Sequence, residues 1–339
     1  MSNRFLAVRI AGSGLTYRCA DDDNLLRAGL REGIGLPYEC NAGGCGSCKF
    51  ELVDGELRET WADAPASSEK DRSRRRFLAC QCVPLTDCEI RIRPEEQFRP
   101  RFPPRRLDAT YAGRRAVTHD IHEFEFHADE PADFLPGQYA MVTLAGTEQV
   151  RAYSMSNQPN AEGVWKFMIR RVPGGSFSSA LFETLHPGAR VRIDGPLGLA
   201  YLRDEIDRDI VCIAGGSGFA PIVSIVNGAL SSQRLRERRK WVFYGGRGPA
   251  DIPMFTGHFA AHRTLELHPA ISARELDAAN DWRGEVCLVH ELPRRRLPRE
   301  LACYEYYLAG PPPMIEAVVR MLVAEHHVPA GQIHYDRFF

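Results

Sequence analysis

The sequence lacks an excess of charge of either sign, a long uninterrupted apolar run and any repeated or low-complexity segment. Its 339 residues carry 43 lysines and arginines against 44 aspartates and glutamates, a formal net charge of −1. This balance gives no general attraction to nucleic acid or to an anionic membrane surface, so we expect neither as a partner. The length and an apolar content of 44% predict a globular protein of two or three domains.

The pattern of a membrane span or of a secretory leader is also missing. Residues 210–230 contain no charged side chain, but Gly215, Gly216 and Gly218 interrupt the stretch, which therefore predicts strand, turn and helix. Residues 1–14 have no apolar core of the kind that secretory signals need. We expect a cytoplasmic protein.

Histidine motifs are absent and most cysteines are scattered. The eleven histidines show no H-E-x-x-H or related metal-binding spacing, and no Ser/His/Asp arrangement follows from their order. Six of the ten cysteines have no framework spacing, which favours a reducing compartment over a disulfide scaffold.

The other four cysteines have the spacing of an iron–sulfur ligand set. Residues 40–48 read C-N-A-G-G-C-G-S-C, and another thiol follows in L-A-C-Q-C over 78–82. This is the pattern of plant-type [2Fe–2S] ferredoxins, in which each of two irons binds two thiolates. A structural zinc site is the alternative, although it usually pairs C-x2–4-C knuckles across a longer gap. The spacing leaves Cys80 and Cys82 open as the fourth ligand, because both would lie on one face of a strand.

Residues 1–93 predict strands around one main helix, typical of a β-grasp ferredoxin. A hairpin is expected from strands over 5–10 and 15–20, followed by a helix that Asp22 and Asp23 cap and that ends near Glu32. Further strands are expected over 77–82 and 88–93, and a capping box at 68–71 predicts a short second helix. Residues 94–106 contain four prolines and four arginines and predict a linker.

In the rest of the chain the predicted secondary structure changes once, between residues 203 and 204. Residues 107–203 contain short β-type runs separated by proline and glycine turns, which predict an antiparallel barrel. Residues 204–339 alternate apolar strands (210–214, 241–244 and 306–309) with helical segments, which predict a doubly wound parallel sheet.

Four short motifs in these regions are weak separately. R-A-Y-S over 151–154 offers a cation, a flat ring and a hydroxyl, and P-G-G-S-F-S over 173–178 opens a predicted helix where a phosphate can bind. A-G-G-S-G-F-A-P over 214–221 joins a strand to a helix, but a proline replaces the third glycine of the dehydrogenase fingerprint. A-G-P-P-P-M over 309–314 is a second rigid turn after a strand.

Together these stretches resemble the ferredoxin–NAD reductase components of bacterial multicomponent oxygenases. The resemblance covers essentially the whole chain and rests on LPYECNAGGCGSCKFEL, RRRFLACQC, FLPGQY, RAYSMSN, RRVPGGSFS, IAGGSGFAPIVSIVN, AGPPPM and IHYDRFF. It implies a multidomain fold: a β-grasp [2Fe–2S] ferredoxin (1–93), an antiparallel flavin-binding β-barrel (107–203) and a doubly wound α/β domain that binds NAD (204–339).

The resemblance also implies roles for individual residues. Arg151 would hold the FAD pyrophosphate, while Tyr153 packs on the isoalloxazine and Ser154 hydrogen-bonds near flavin N5, so the last two are the expected catalytic residues. The first cysteine of L-A-C-Q-C completes the expected cluster ligands, which are Cys40, Cys45, Cys48 and Cys80. The remaining expected cofactor contacts are Ala152, Gly174, Gly175, Ser178 and Phe339 for FAD, and Gly215, Gly216, Ser217, Gly218, Gly310 and Pro311 for NADH.

Two positions qualify the nucleotide site. The usual cysteine of the family's C-G-P-P motif is Ala309 here, and that thiol normally sits near the nicotinamide. Arg247, after the strand at 241–244, is placed to meet a 2′-phosphate, so the choice between NADH and NADPH stays open.

The expected activity is that of a ferredoxin–NAD(+) reductase, an oxidoreductase that passes electrons from NADH to FAD, to the [2Fe–2S] cluster, and on to a Rieske-type ferredoxin or an oxygenase component. A reductase for a cytochrome P450 or a demethylase is the alternative enzyme, and a redox sensor without turnover is the alternative of another class. We expect a monomer whose partner docks at an exposed rim of the cysteine loop over 41–46.

Overall fold

The computed structural model describes residues 4–147, 149–277 and 281–338. The chain divides into two compact units, the first comprising Met1–Arg106 and Asp194–Leu197 and the second Leu107–Ile193 and Gly198–Phe339. The domain boundaries predicted at 93/94 and 203/204 stay a prediction. Nearly all residues of the predicted barrel and of the predicted α/β domain belong to the second unit. No helix in the described part of the chain is long and apolar enough to cross a membrane.

The first unit is a mixed sheet that packs against one main helix. Its elements are, in chain order, β1 (Phe5–Ile10), β2 (Thr16–Ala20), α1 (Leu25–Arg31), β3 (Lys49–Asp54), β4 (Leu57–Glu59), α2 (Glu69–Ser73), β5 (Arg76–Leu78), β6 (Cys82–Pro84) and β7 (Cys88–Arg91). Five strands form one sheet in the order β2-β1-β7-β3-β5, in which β1 and β7 run parallel, and β4 pairs with β6 separately. This is the predicted β-grasp arrangement.

Local sequence explains where the helices of this unit begin. The predicted cap at Asp22 and Asp23 is wrong by one residue, because the Asn24 side chain accepts the hydrogen bond from the Arg27 N–H at 2.8 Å. The second predicted cap is confirmed, since the Ser68 hydroxyl accepts from the Asp71 N–H at 3.1 Å.

The predicted continuous strand over 77–82 is wrong. β5 ends at Leu78, a 3₁₀ turn follows over Ala79–Gln81, and β6 starts at Cys82. The alternation of side chains that would have put both thiols on one face therefore does not apply. Cys80 lies in the turn and Cys82 in the next strand.

The start of the predicted linker packs on the first unit. The Glu95 N–H donates to the Gly35 carbonyl at 2.8 Å, and a short 3₁₀ turn follows over Glu96–Phe98. A Cβ on Gly35 would lie 2.2 Å from the Glu95 carbonyl oxygen, so only glycine permits this approach.

A barrel opens the second part of the chain. Its elements are β8 (Arg105–Ala116), β9 (Ile121–Ala128), β10 (Tyr139–Leu144), β11 (Val150–Ser154), β12 (Val164–Arg170), α3 (Ser176–Ser179) and β13 (Arg190–Leu197). The strands form a sheet in the order β11-β10-β13-β8-β9-β12 around buried aromatic rings such as Phe124 and Trp165. The edge strands meet through a bridge between Met155 and Phe167, so the barrel is nearly closed, as predicted.

A parallel sheet follows, as the alternating pattern predicted. Its elements are β14 (Asp209–Gly215), α4 (Phe219–Ser231), β15 (Lys240–Gly246), β16 (Leu265–Ile271), β17 (Glu285–Val286), α5 (Leu292–Arg296), β18 (Tyr304–Gly310), α6 (Pro312–Arg320) and β19 (Ile333–Arg337). The strand order is β17-β16-β15-β14-β18-β19. The chain builds outward from β14 in one direction and then from β18 in the other, so the order reverses between these two fully buried strands.

Candidate functional site

The four predicted cluster ligands lie around one loop of the first unit. Cys40 and Cys45 are half-buried, whereas Cys48 and Cys80 are 3% and 4% exposed. The Cys40 sulfur accepts hydrogen bonds from the backbone N–H groups of Ala42 and Cys45, each with 3.4 Å between N and Sγ. Such donors stabilise the thiolate form that an iron ligand must adopt.

The four thiols influence one another in two pairs. The interaction between Cys40 and Cys45 raises the pKa of the Cys40 thiol and lowers the pKa of the Cys45 thiol to about 5. The interaction between Cys48 and Cys80 likewise raises the pKa of the Cys48 thiol and lowers the pKa of the Cys80 thiol. Two pairs of sulfurs are what a binuclear cluster requires, with one pair for each iron.

A zinc ion would need all four sulfurs around one point. At a Zn–S distance of about 2.3 Å, tetrahedral geometry brings every two sulfurs to within about 4 Å of each other. Among the described residues, the one group of three or more potential ligands whose donor atoms all lie within 4.8 Å of one another is His119, Asp120 and Asp251. No three of the four described sulfurs therefore lie close enough together for one zinc ion, and the set fits a [2Fe–2S] cluster better than zinc.

The structure distinguishes the two thiols that the spacing left open. Cys80 pairs with Cys48 and also accepts a hydrogen bond from the side-chain amide of Gln81 at 3.5 Å. Cys82 is fully buried in β6, and this burial raises the pKa of its thiol. The geometry favours Cys80 as the fourth ligand, and the assignment stays a prediction.

The predicted exposed rim over 41–46 is wrong, because Asn41 and Gly43 are buried and the other four residues are only partly exposed. Asn41 is 2% exposed and adopts φ = 52°. Neither polar atom of its side chain has a hydrogen-bond partner within the described ranges. A buried amide of this kind beside Cys40 fits a loop shaped around a group with hydrogen-bond acceptors, and cluster sulfurs are acceptors.

The predicted flavin residues follow one another along β11, an edge strand of the barrel. Arg151 and Ala152 are exposed, Tyr153 is half-buried, and Ser154 is 5% exposed. The antiparallel register with β10 sets Tyr153 opposite Ala140. A gradient from an exposed guanidinium to a buried hydroxyl suits a cofactor whose phosphates face solvent and whose ring is covered.

Phe177 is a site residue that the sequence motifs did not single out. Its ring centroid lies 6.0 Å from that of Tyr153, and the Arg151 guanidinium carbon lies 5.8 Å from the Phe177 centroid. Burial raises the pKa of Tyr153, so its hydroxyl stays protonated. Phe177 thus orients both the ring and the cation, and the only signal for it was its position inside the predicted phosphate turn.

The predicted phosphate turn over 173–178 is stabilised by hydrogen bonds within it. The Ser178 hydroxyl accepts from the Val172 N–H at 3.1 Å and lies 3.2 Å from the Gly175 carbonyl oxygen. Gly174 has φ = 72°, and a Cβ there would meet no atom within 4 Å. The Ser178 hydroxyl is engaged inside the turn, and the Gly175 N–H donates to the Val172 carbonyl at 3.0 Å, so a phosphate would need the other backbone N–H groups of the turn. The phosphate role of these three residues stays a prediction.

The predicted nucleotide turns meet at the carboxyl ends of β14 and β18, where the strand order reverses. The 3₁₀ turn Gly216–Gly218 follows β14, and the Gly216 carbonyl accepts from the Tyr244 hydroxyl at 3.2 Å. Open α/β sheets bind ligands outside such switch points. The fold thereby brings together the six residues predicted for NADH: Gly215, Gly216, Ser217, Gly218, Gly310 and Pro311.

Close packing, in addition to ligand approach, explains part of this glycine pattern. A Cβ on Gly218 would lie 2.0 Å from the Ala309 carbonyl oxygen. A Cβ on Gly215 would lie 2.9 Å from the Met314 sulfur. The Met314 side chain can move, but the Ala309 backbone cannot, so it is Gly218 that allows the two turns to meet.

One further predicted contact, Arg247, lies at the border of this edge. Arg247 directly follows β15, its side chain is exposed, and its backbone N–H donates to the Asp251 carboxylate at 2.8 Å. Phe339 lies outside the described residues. Its neighbour Phe338 donates its N–H to the Gly310 carbonyl at 3.0 Å, so the last described residues run beside the turn after β18.

Comparison with known proteins identifies the three parts of the chain. Residues 8–85 match the 2Fe-2S iron-sulfur cluster binding domain, residues 109–201 the oxidoreductase FAD-binding domain and residues 212–320 the oxidoreductase NAD-binding domain. These matches confirm the predicted fold class, the three cofactors and the assignment to the oxidoreductases.

Relatives of known function extend over almost the whole chain. A ferredoxin–NAD(P)+ reductase of Metapseudomonas resinovorans is 42% identical over 325 residues, which are 95% of this chain and 96% of that protein. The xylene/toluene monooxygenase electron transfer component of Pseudomonas putida is 33% identical over 340 residues, which are 98% of this chain and 93% of that protein.

Solved structures are similar over the same extent. The ferredoxin reductase in carbazole 1,9a-dioxygenase is 38% identical, covers 100% of both chains and superposes with a TM-score of 0.92. A cytochrome P450 reductase from Amycolatopsis is 31% identical, covers 98% of both chains and has a TM-score of 0.81. Sequence, architecture and cofactor domains agree, and the chain belongs to the family of ferredoxin–NAD(P)+ reductase components of oxygenase systems.

Proposed function

We propose that this protein oxidises NADH and delivers the electrons one at a time to a Rieske-type ferredoxin or to an oxygenase component. The observation that carries the proposal is the arrangement of four thiols in two pairs, in a chain that also has a flavin-type barrel and a nucleotide-binding sheet. When bound, NADH supplies a hydride, FAD converts its electron pair into single electrons, and the [2Fe–2S] cluster carries them onward.

The β11 residues hold and orient the flavin in this proposal. Arg151 neutralises the pyrophosphate, Tyr153 covers the ring, and Ser154 donates a hydrogen bond at the reacting edge. What supports these roles is the gradient of exposure along the strand and the contact of both Arg151 and Tyr153 with Phe177. Aromatic packing fixes the Tyr153 ring before the cofactor arrives, which lowers the entropy cost of binding.

The two turns at the carboxyl ends of β14 and β18 receive the dinucleotide. The turn after β14 supplies backbone N–H groups for a phosphate, whereas Pro311, Pro312 and Pro313 after β18 have no N–H and form a rigid apolar wall. The close approach of Gly218 to Ala309 keeps the crevice narrow. Asp251 is engaged by the N–H groups of Arg247 and Gly248, so the exposed guanidinium of Arg247 is the group beside this strand end that would meet a 2′-phosphate. We propose NADH as the donor and expect NADPH to be a usable but poorer one.

The proposal also includes the electron acceptor and the cellular compartment. Relatives named for their roles in oxygenase systems support a ferredoxin or hydroxylase as the acceptor, and we propose that the protein acts as a monomer. Thiolate ligands must be kept reduced before cluster assembly, which supports the cytoplasm as the compartment.

Anaerobic titration with NADH tests the internal route. We expect NADH to bleach first the flavin and then the cluster absorption of the purified protein, and a screen of Rieske-type ferredoxins and oxygenase components to identify the protein acceptor with the lowest KM. The variant Cys45→Ser should lose the cluster signal and still reduce ferricyanide with NADH. A wild-type protein whose cluster stays oxidised under excess NADH would contradict the proposal.

A cytochrome P450 is the second candidate acceptor, because the Amycolatopsis P450 reductase matches 98% of the chain at 31% identity. Including a bacterial P450 in the same screen separates the two, since the acceptor with the lower KM is the better candidate. A redox sensor without turnover would be indicated by a failure to reduce any dye.

A further inference from the structure

An exposed indole lies beside the loop that carries the cluster ligands. Trp61 follows β4 and is 46% exposed, although large apolar side chains in this unit are mostly buried. Its place is fixed by its neighbour Thr60, whose N–H donates to the Gln81 carbonyl at 2.8 Å and whose hydroxyl hydrogen-bonds the Gln81 side chain at 3.0 Å. Gln81 in turn donates to the Cys80 sulfur. Thr60 and Gln81 thus connect Trp61 to Cys80, a predicted cluster ligand.

The indole rests on the cysteine loop itself. A Cβ on Gly43 would lie 3.3 Å from Cε3 of Trp61, so the ring covers this glycine. The Gly43 carbonyl accepts from the Ala66 N–H at 3.1 Å. A Cβ on Gly46 would lie 3.4 Å from the Ala66 methyl carbon. The segment from Trp61 to Ala66 therefore lines the loop along both glycines.

This segment presents an apolar surface. Trp61, Ala62 and Pro65 are exposed and Ala66 is partly exposed; we call these four residues the Trp61 patch. Asp63 is the one charged side chain between Thr60 and Ser67. Two arginines lie at the borders of this segment. Arg58 is exposed on β4, three residues before Trp61. Arg72 forms an ion pair with Glu59 at 3.4 Å and donates to the Ala62 carbonyl, so its charge is balanced.

We propose that the Trp61 patch is the docking site of the electron-accepting protein, and that Trp61 is its central anchor. The proposal rests on the proposed function, in which electrons leave from the cluster. Single electrons tunnel efficiently only over short distances, so the acceptor must bind close to the cluster loop. The patch is an apolar surface that borders this loop at Gly43 and Gly46. Exposed tryptophans of this kind are the commonest energetic centres of protein interfaces.

The charge pattern specifies the partner. With a single carboxylate in the segment, the patch suits an acceptor that surrounds its own redox centre with uncharged and apolar side chains. Docking should then depend weakly on salt, because few ion pairs form in the complex.

The test uses the full-length holoprotein and the protein acceptor with the lowest KM in the screen described above. Trp61→Ala should raise the KM for that acceptor by about tenfold or more, and Trp61→Phe should raise it by less than about threefold. Leu85→Ala is the matched control, since Leu85 is 47% exposed in the same unit but lies at the far end of the β4–β6 pair. NADH-dependent ferricyanide reduction and reduction of the cluster by NADH should be unchanged in all three variants.

Several results would overturn the inference. An unchanged acceptor KM in Trp61→Ala removes the anchor, and a KM that rises steeply between about 50 and 500 mM salt replaces apolar docking by ionic docking. A dimer of the wild-type protein that dissociates in Trp61→Ala would make a second copy of this chain the occupant. Loss of cluster reduction in Trp61→Ala alone would show a structural role of the indole. A wild-type cluster that NADH does not reduce would instead contradict the proposed function.

Discussion

Replacing Gly218 by alanine should damage NADH use more than it damages the fold. Gly218 is buried where the turn after β14 meets the end of β18, and a Cβ there would lie 2.0 Å from the Ala309 carbonyl oxygen and 2.5 Å from its carbon. Ordinary contact begins at 3.4 Å. The two turns must therefore move apart by about 1.4 Å, because neither contacting atom belongs to a flexible side chain.

The size of the effect follows from this displacement. Overpacking of this kind costs about 1–3 kcal/mol of folding free energy, which a domain of this size tolerates. A misplacement of about 1 Å at a binding crevice costs about 100-fold in rate, because the reacting atoms no longer align. We therefore expect Gly218→Ala to lower kcat/KM for NADH by about 100-fold, which corresponds to about 2.7 kcal/mol.

The assay is the stopped-flow rate of flavin bleaching as a function of NADH concentration, with FAD content and thermal unfolding measured on the same samples. Gly331→Ala is the matched control in the same domain, since a Cβ there would meet no atom within 4 Å. It should behave like the wild type in every measurement. If Gly218→Ala retains its FAD and its kcat/KM for NADH stays within about threefold of the wild type, the contact between the turns does not shape the nucleotide crevice.

Three other predictions concern the ligand thiols and the flavin site. Cys80→Ser should abolish the electron paramagnetic resonance signal of the reduced cluster, whereas Cys82→Ser should retain it, because only the first of these sulfurs pairs with another ligand. Arg151→Ala should weaken FAD binding by about tenfold or more in equilibrium dialysis, while the exposed Arg190→Ala, two strands away from β11, should not. In apoprotein, iodoacetamide should label Cys45 well before Cys82, and the Cys45 rate should fall only below about pH 5.

Each of these predictions has a result that contradicts it. A cluster signal that survives Cys80→Ser and disappears in Cys82→Ser would exchange the fourth ligand. Stoichiometric FAD in purified Arg151→Ala would remove the pyrophosphate role. The pH window for labelling follows from the sign of the shift: a thiol whose pKa is lowered is a thiolate at neutral pH and loses reactivity when protonated. Equal labelling of both cysteines at pH 6, measured by mass spectrometry, would mean that the apoprotein does not keep the paired geometry.

The sequence predicts best the features that a few neighbouring residues determine. The C-x4-C-x2-C spacing predicted a ligand loop that carries Cys40, Cys45 and Cys48. The apolar runs at 210–214 and 306–309 predicted strands that prove to be adjacent and parallel. The structure can be predicted from such patterns because both the closure of a loop and the period of a strand depend on residues close together in the chain.

Features that depend on contacts distant in sequence were less accessible. Strand alternation could not separate Cys80 from Cys82, because it would put both thiols on one face; the interaction of Cys80 with Cys48, thirty-two residues earlier, is what distinguishes them. Gly218 was predicted to admit a ligand, yet it also admits the Ala309 carbonyl of a strand some ninety residues later in the chain. Phe177 became visible only once its ring was seen beside Tyr153. In each case the residue that determines the contact lies elsewhere in the sequence, so no local pattern predicts it.

The docking surface is the hardest feature to predict, for a related physical reason. Patterns of apolar residues identify what folding buries, and an apolar residue in a loop is ordinarily taken as part of that core. Trp61 departs from this rule, because the segment after β4 turns the indole onto Gly43 while leaving 46% of its surface exposed. Exposure of a large ring beside a redox site has an unfavourable hydration free energy in the isolated protein. That cost is recovered only in a complex, so the patch carries information about a partner that the folded chain alone does not require.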